Sequence, residues 1–348
     1  MLMLRDFGFP RLITVKSCEK LQKLDPQPRP REASRNGAIA AKWLYHRYGS
    51  RHMSKLGIGL TSALAWLVAC SGGQALAHDA TVTAPMVVLP PAGAAPDYQL
   101  GGAYPPDPQV QIVARDREDA PAPGLYSICY INGFQTQPHE LSLWPSNLIL
   151  HHNGQPVGDP DWPGEYLLDI TTAANRAAIL ALVKPWIVGC ADDGFAAVEF
   201  DNLDTYTRAN GLISRSHAVA MASLYVGEAH TQGLAAAQKN AAEDSSIFRN
   251  QAGFDFAVSE ECAAWNECGD YTSVYGVHVI DIEYPDGLSV PFQQACLDNP
   301  DVPSMVLRDL GLSPKGEDEH VFELCEAVSV PKAVFADGFE VQPSGRSF

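Results

Sequence analysis

Residues 194–206 read Gly-Phe-Ala-Ala-Val-Glu-Phe-Asp-Asn-Leu-Asp-Thr-Tyr, with three carboxylates inside six consecutive positions. Val198 and Phe200 alternate with Glu199 and Asp201, the period of a strand whose two faces meet different surroundings. In a barrel of parallel strands, one face meets an outer layer of helices and the other points into the barrel. The apolar pair suits the helices, which turns Glu199 and Asp201 inward. Asp201 then stands nearest the C-terminal end of the strand, where barrel enzymes carry their catalytic loops. A desolvated carboxylate is costly unless it is paired or used in chemistry. The competing reading makes Asp201-Asn202 the start of a turn and nothing more.

Outward from this stretch, short apolar or alternating runs recur at 98–100, 110–114, 125–131, 166–169, 197–200, 235–238, 254–258, 277–282 and 305–306. Helical patterns separate some of them, notably 172–193 and 216–233, the second closed by Gly233. Strands alternating with helices predict right-handed βαβ units and a parallel sheet. About eight strands over ~250 residues fit an α/β fold of the (β/α)8, TIM-like barrel type, as a single domain with disulfide-tied loops. The sequence has no Gly-rich dinucleotide or phosphate loop, which weighs against an open doubly wound sheet.

The charge is unevenly spread. Residues 1–52 hold eleven of the 24 Lys/Arg and four of the 41 Asp/Glu, so 13 basic and 37 acidic residues remain, a balance of −24. Such a surface repels phosphate backbones, excluding nucleic acid as a partner, and attracts a polycation. Residues 1–52 read as an upstream extension and 53–77 as a signal peptide. In the latter, Met53-Ser54-Lys55 precedes an apolar run too short, at ~14 residues, to span a bilayer. Leu67-Val68-Ala69-Cys70 resembles a lipobox, making Cys70 a candidate for lipidation, while Ala75-Leu76-Ala77 fits cleavage by an ordinary signal peptidase. The chain is therefore expected to be exported. It would be an outer-membrane or cell-surface lipoprotein touching the membrane only through its anchor, or secreted or periplasmic if cut after Ala77. An Ala/Pro-rich linker follows at 78–96, then the domain at 97–330 and a flexible tail at 331–348.

Export makes disulfides plausible, and Cys129, Cys190, Cys262, Cys268, Cys296 and Cys325 allow three bridges in fifteen pairings. Spacing favours Cys262–Cys268, which closes a small loop. Neither cysteines nor histidines show metal-ligand spacing, and no metal or cofactor is expected.

A second acid cluster ends another candidate strand at 253–268, where Glu260 opens into Glu261-Cys262. Two carboxylates on the rims of different barrel strands are the pair that glycoside hydrolysis needs. One protonates the leaving oxygen and the other attacks the anomeric carbon or activates water. Solvated loop acids are the plainer alternative. Lys239-Asn240 ends a third strand, and an inward lysine would hold a neighbouring carboxylate ionised. Residues 160–170 contribute Asp161, Trp162, Glu165 and Asp169, and residues 279–284 contribute Asp281, Glu283 and Tyr284. Asp97, Gln99 and Asp116 stand near the domain start, and Asp204 and Tyr206 follow the opening strand. The sequence has no Gly-x-Ser-x-Gly elbow of a serine hydrolase.

Six segments in order, "DYQLGGAYPP", "ICYINGFQTQPHE", "DWPGEYLLDI", "GFAAVEFDNLDTY", "AAAQKN" and "FAVSEEC", resemble glycoside hydrolase family 114, the endo-α-1,4-polygalactosaminidases. The resemblance runs from about residue 97 to 312. It implies a (β/α)8 barrel that cleaves α-1,4-linked galactosamine within exopolysaccharide, with Asp201 and Glu260 as the catalytic carboxylates. Asp97, Gln99, Asp116, Tyr130, Asp169, Glu199, Asn202, Asp204, Tyr206, Lys239, Asn240 and Glu283 are the expected substrate-binding set. Where the family often reads Asn-Glu, this chain has Ser259-Glu260, a hydroxyl in place of an amide. The expected partner is a cationic amino-sugar polysaccharide and the expected state a monomer. A retaining mechanism is expected, with carboxylate separation as the discriminator from inversion. A lipoprotein that binds exopolysaccharide without cutting it, on the same barrel, is the alternative of a different class.

Overall fold

The structure, a computed structural model, describes residues 86–326. The expected upstream extension, the expected signal segment with Cys70 and Ala77, the first part of the expected linker and the expected tail from 331 lie outside the described residues.

In chain order the strands are β1 (Pro96–Tyr98), β2 (Ile112–Asp116), β3 (Tyr126–Asn132), a small hairpin of β4 (His151–His152) and β5 (Gln155–Pro156), then β6 (Ala197–Asp201), β7 (Ala235–Lys239), β8 (Phe256–Glu260), β9 (Val279–Glu283), β10 (Ser304–Arg308) and β11 (Phe322–Leu324). The helices are α1 (Ala173–Asp193), α2 (Arg215–Thr231), α3 (Ser245–Ile247), α4 (Cys262–Trp265), α5 (Cys268–Tyr275) and α6 (Phe292–Asp298). The main sheet runs β1-β2-β3-β6-β7-β8-β9-β10-β11. Its first eight members are parallel neighbours and β11 joins β10 antiparallel. This is a nearly closed TIM-like barrel.

The seam falls between β1 and β10. Arg308, fully buried at the end of β10, donates through Nη1 to Asp97 Oδ1 at 2.8 Å and to the Tyr98 carbonyl. Asp97 also accepts from Gln99 Nε2 at 2.7 Å and Tyr104 Oη at 2.9 Å. A buried guanidinium is tolerable only with this degree of pairing.

Two apolar layers follow from strand alternation. Val198 and Phe200 face outward into the core shared with α1 and α2, beside Ile179, Val183 and Tyr225. Phe200 stacks on Tyr225 with ring centroids 4.9 Å apart, and the Tyr225 hydroxyl donates to the Gly133 carbonyl at 2.7 Å. Inside the barrel, Ile112, Ile128, Ala197, Ala237, Phe256 and Val258 pack together. Helix α1 begins at Thr172, whose side chain accepts from the Asn175 N–H, and stops at Gly194 with φ 95°. Ile179, Val183, Ile187 and Cys190 form its buried stripe. Ser214 and His217 form a reciprocal cap at the start of α2.

Residues 166–169, expected as a strand, instead make isolated bridges from Tyr166, Leu167 and Leu168 to Gly158, Gln135 and Ile149. Leu167 and Leu168 are both buried, so the segment has the apolar run of a central strand while lying in the β3–α1 connection. The short edge strand β11 and the β4–β5 hairpin carry no comparable apolar run to mark them in the sequence. Among the described residues three disulfides are present: Cys129–Cys190 ties β3 to α1, Cys262–Cys268 joins the starts of α4 and α5, and Cys296–Cys325 ties α6 to the residue after β11.

Candidate active site

Three adjacent strands end in charged residues: β6 in Asp201, β7 in Lys239 and β8 in Glu260. Each end is followed by left-handed backbone at a residue other than glycine. These are Asn202 (φ 63°), Asn240 (φ 51°), Ala241 (φ 61°) and Glu261 (φ 62°). That conformation costs about 1–2 kcal/mol per residue and is borne most readily by asparagine. It turns the chain sharply away at the rim, leaving the last strand side chain at the mouth. The asparagines also tie the ends together. The Asn202 N–H donates to Asp201 Oδ1 at 2.7 Å, and Asn202 Nδ2 donates to Asn132 Oδ1 at 3.0 Å. Asn240 Nδ2 donates to Glu260 Oε2 at 3.1 Å and Asn240 Oδ1 accepts the Glu260 N–H at 2.9 Å.

Lys239 is the hub. Its Nζ lies 2.8 Å from Glu260 Oε2, 3.5 Å from Asp201 Oδ2 and 3.9 Å from Glu199 Oε1. Tyrosines complete the carboxylates: Tyr130 donates to Asp201 Oδ2 at 2.8 Å, Tyr284 to Glu260 Oε1 at 2.5 Å and Tyr98 to Glu199 Oε1 at 2.6 Å. The Lys239 side chain is 2% exposed, against 18% for Asp201 and 27% for Glu260. The two carboxylates can therefore touch a ligand at the mouth, and the lysine acts from beneath them.

Burial works against the ionised Glu260. The Lys239 charge and hydrogen bonds from Lys239, Tyr284 and Asn240 outweigh it, holding the carboxyl below its ordinary range. Burial likewise opposes charge on Lys239, but Asp201, Glu260 and Glu199 together hold its ammonium above the usual lysine value. Glu199 is governed by desolvation, which pushes its carboxyl up to about 8 despite Lys239 and Tyr98. One of its oxygens, Oε2, has no hydrogen-bond partner among the described residues. Desolvation thus favours the protonated form of Glu199 beneath the mouth.

Beside Asp201, Glu165 accepts from Asn132 Nδ2 at 3.1 Å and Gln135 Nε2 at 3.2 Å. Desolvation and then the Asp201 charge push the Glu165 carboxyl up to about 8. Arg208 braces this wall, donating to Asn202 Oδ1 at 2.7 Å, Asp204 Oδ1 at 2.7 Å and Asp159 Oδ2 at 2.5 Å.

Of the residues expected from sequence, the fold gathers Tyr130, Glu199, Asp201, Asn202, Lys239, Asn240 and Glu260 at one mouth, with Asp204 attached through Arg208. Asp97 and Gln99 instead knot the barrel seam. Asp116 accepts the Glu118 N–H in a turn, Asp169 accepts from Thr171 ahead of α1, and Tyr206 donates to Asp244. Glu283 departs furthest from expectation. Strand alternation puts Ile282 and Tyr284 inside the barrel and turns Glu283 to the opposite face, against the Ala263 N–H. Sequence reasoning left Tyr98, Asn132, Gln135 and Arg208 out of the site. Asn132 was the legible one, since it ends β3 in phase with Tyr130.

Two groups of side chains have metal-ligating atoms close together among the described residues, Cys262–Cys268–Asp281 and Glu118–His139–Glu140. In the first, both sulfurs are spent in a disulfide, and in the second Glu140 already binds Arg117.

A parallel barrel with two carboxylates and a lysine at the C-terminal ends of neighbouring strands is the architecture of a barrel glycosidase. The family model for glycoside-hydrolase family GH114 matches residues 77–330, and the chain belongs to that family and is a glycoside hydrolase. Among solved structures, Ega3 of Aspergillus fumigatus in complex with galactosamine is similar at 22% identity, covering 69% of this chain and 98% of that one with a TM-score of 0.56. The likeness extends the barrel fold to this chain. The glycoside hydrolase domain of PelA from Pseudomonas aeruginosa matches at 13% identity, 66% and 99% coverage and a TM-score of 0.46. No curated protein matches the chain.

Proposed function

We propose that the protein is an exported, endo-acting hydrolase of α-1,4-linked, galactosamine-containing exopolysaccharide, with Asp201 as nucleophile and Glu260 as general acid/base. The observation that carries this reading is the single Lys239 ammonium that reaches both carboxylates, 3.5 Å from Asp201 and 2.8 Å from Glu260. The shared ammonium sets the two carboxyls on either side of one mouth; we adopt a retaining mechanism, for which carboxyls ~5–5.5 Å apart are the signature against ~6.5–9.5 Å for inversion. Asp201 attacks the anomeric carbon as Glu260 passes its proton to the departing glycosidic oxygen. Water, deprotonated by Glu260, then cleaves the glycosyl ester and restores both groups.

Galactosamine as substrate is supported by the motif set, by the galactosamine bound in the Ega3 structure and by charge. With 37 acidic and 13 basic residues beyond residue 52, the chain attracts a polyamine at low salt. Export is supported by the three disulfides, which persist in oxidising compartments. We place the exported domain at 97–330, downstream of a signal peptide and either a lipid anchor at Cys70 or cleavage after Ala77. Both carboxylates come from one chain, so a monomer suffices.

The test is digestion of α-1,4-galactosamine oligomers, acetylated and free, by the protein purified from an oxidising compartment. Mass spectrometry reads product size and NMR reads the first-formed anomer. Internal cleavage with retained configuration, absent in Asp201→Asn, is expected. Cleavage undiminished in Asp201→Asn would overturn the site, and inactivity on both polymers would overturn the substrate.

A further inference from the structure

Behind β8, on the face away from the barrel interior, two buried acids of β9 stand side by side. Asp281 and Glu283 are each 0% exposed. Asp281 Oδ1 accepts the Ser259 hydroxyl at 2.6 Å and the Cys262 N–H at 3.1 Å. Glu283 Oε1 accepts the Ala263 N–H at 2.7 Å and the Ala264 N–H at 3.4 Å. Their remaining oxygens, Asp281 Oδ2 and Glu283 Oε2, are buried and receive no hydroxyl, amide or ammonium donor among the described residues, and the two side chains lie within hydrogen-bonding reach of each other. Two carboxylates can bond that way only with a proton between them.

The three N–H groups so held are the opening of α4, which starts immediately after Glu261. Glu261 is the left-handed residue (φ 62°) that turns the chain away from Glu260, and its own N–H is held by the Ile282 carbonyl at 2.8 Å. A left-handed glutamate persists only where its surroundings over-determine it. Here both flanks are fixed by β9, and the Cys262–Cys268 disulfide closes the loop on the far side.

We propose that Asp281 and Glu283 form a proton-sharing clamp that positions Glu260 by holding the start of α4, and that loss of the shared proton releases the turn. One negative charge spread over the pair suits a helix N-terminus, whereas two buried charges would repel. Desolvation raises both carboxyls, Glu283 to about 9. Among the described residues, Glu260 on β8 is the neighbouring charge that acts on Asp281, Glu261 stands at the turn before α4, and α5, packed on β9, brings Asp270 and the buried Tyr271. The disulfide does not titrate, Ser259 is neutral, and the β10 neighbours in the same rows are Met305 and Leu307. No cation among these groups would neutralise a second charge. The positioning role rests on the reading of Glu260 as catalytic, while the clamp itself does not.

Hydrogen–deuterium exchange of the amides from 260 to 268 tests it on the full chain without substrate, across pH 6 to 10 and corrected for intrinsic rates. The closed turn binds one proton more than the open one. Wild-type protection should therefore fall about tenfold per pH unit and level off near pH 9. In Asp281→Asn or Glu283→Gln an amide donor replaces the shared proton, so protection should persist and the slope vanish. Asp281→Ala should lose protection at every pH. A flat wild-type profile, or amide variants as open as the alanine variant, would overturn the clamp. Should Glu260→Gln prove fully active, the positioning role fails while the exchange result stands.

Discussion

Lys239 Nζ, at the end of β7, lies 2.8 Å from Glu260 Oε2 at the end of β8, closer than the 3.5 Å it keeps from Asp201. Glu260, the proposed proton donor, thus shares its carboxylate with a buried cation, and the consequence is a pH profile. Lys239 favours ionised Glu260, while bond cleavage needs the protonated form. Activity should fall as pH rises through a Glu260 value below the ordinary glutamate range, giving an acid optimum. Lys239→Met removes the stabilising charge, so Glu260 keeps its proton to higher pH. The alkaline limb of kcat/KM should move upward even as the peak rate drops. A limb that stays in place would separate Glu260 from the acid role.

The two carboxylates are expected to differ in what rescues them. Glu260→Gln should cost about 10²–10⁴ in kcat on the natural polymer. It should cost much less on an aryl glycoside whose leaving group needs no proton. Asp201→Asn should be inactive on both. Parallel losses on the two substrates would argue against these assigned roles.

Glu199 gives a stability prediction. Burial holds its proton up to about 8, against Lys239 and Tyr98, which favour the ionised form. The unfolded chain releases that proton near ~4.3, so between these values the folded state binds one proton more. Its contribution to stability is therefore fully present at low pH and declines as pH rises toward 8. Glu199→Gln imitates the protonated acid and should flatten the decline. Thermal melts at intervals from pH 5 to 9 should show the wild-type curve falling below the variant at the alkaline end. Parallel curves would mean that Glu199 is ionised throughout.

At the seam, Arg308→Met strips the guanidinium from Asp97 and the Tyr98 carbonyl. Removing one partner of a buried ion pair costs about 3–5 kcal/mol. Denaturant unfolding should show that loss, with Asp97→Asn in the same background restoring part of it.

How much of this was legible in the chain itself varies by residue. Val198 and Phe200 against Glu199 and Asp201 specified a strand and its two faces, because side chains alternate along a strand whatever its neighbours are. The Cys262–Cys268 pair followed from a separation of 6 residues, too short to leave much choice. Residues 166–169 misled for a physical reason. Leu167 and Leu168 are both buried, as in a central strand, but what buries them is the connection between β3 and α1.

The rest depended on closing the barrel. Composition determined an acidic surface, and local periodicity determined the parallel strands and the inward direction of Asp201. Only the tertiary structure decided that Lys239 sits nearer Glu260 than Asp201, that Tyr98 reaches from β1 to Glu199, and that Glu283 turns away from the mouth to meet Asp281. Each depends on register and stagger between strands far apart in sequence, as Tyr98 and Glu199 are, separated by 101 positions. Alternation sets which face a side chain takes along its own strand, but the neighbour it meets is set by how the strands pack.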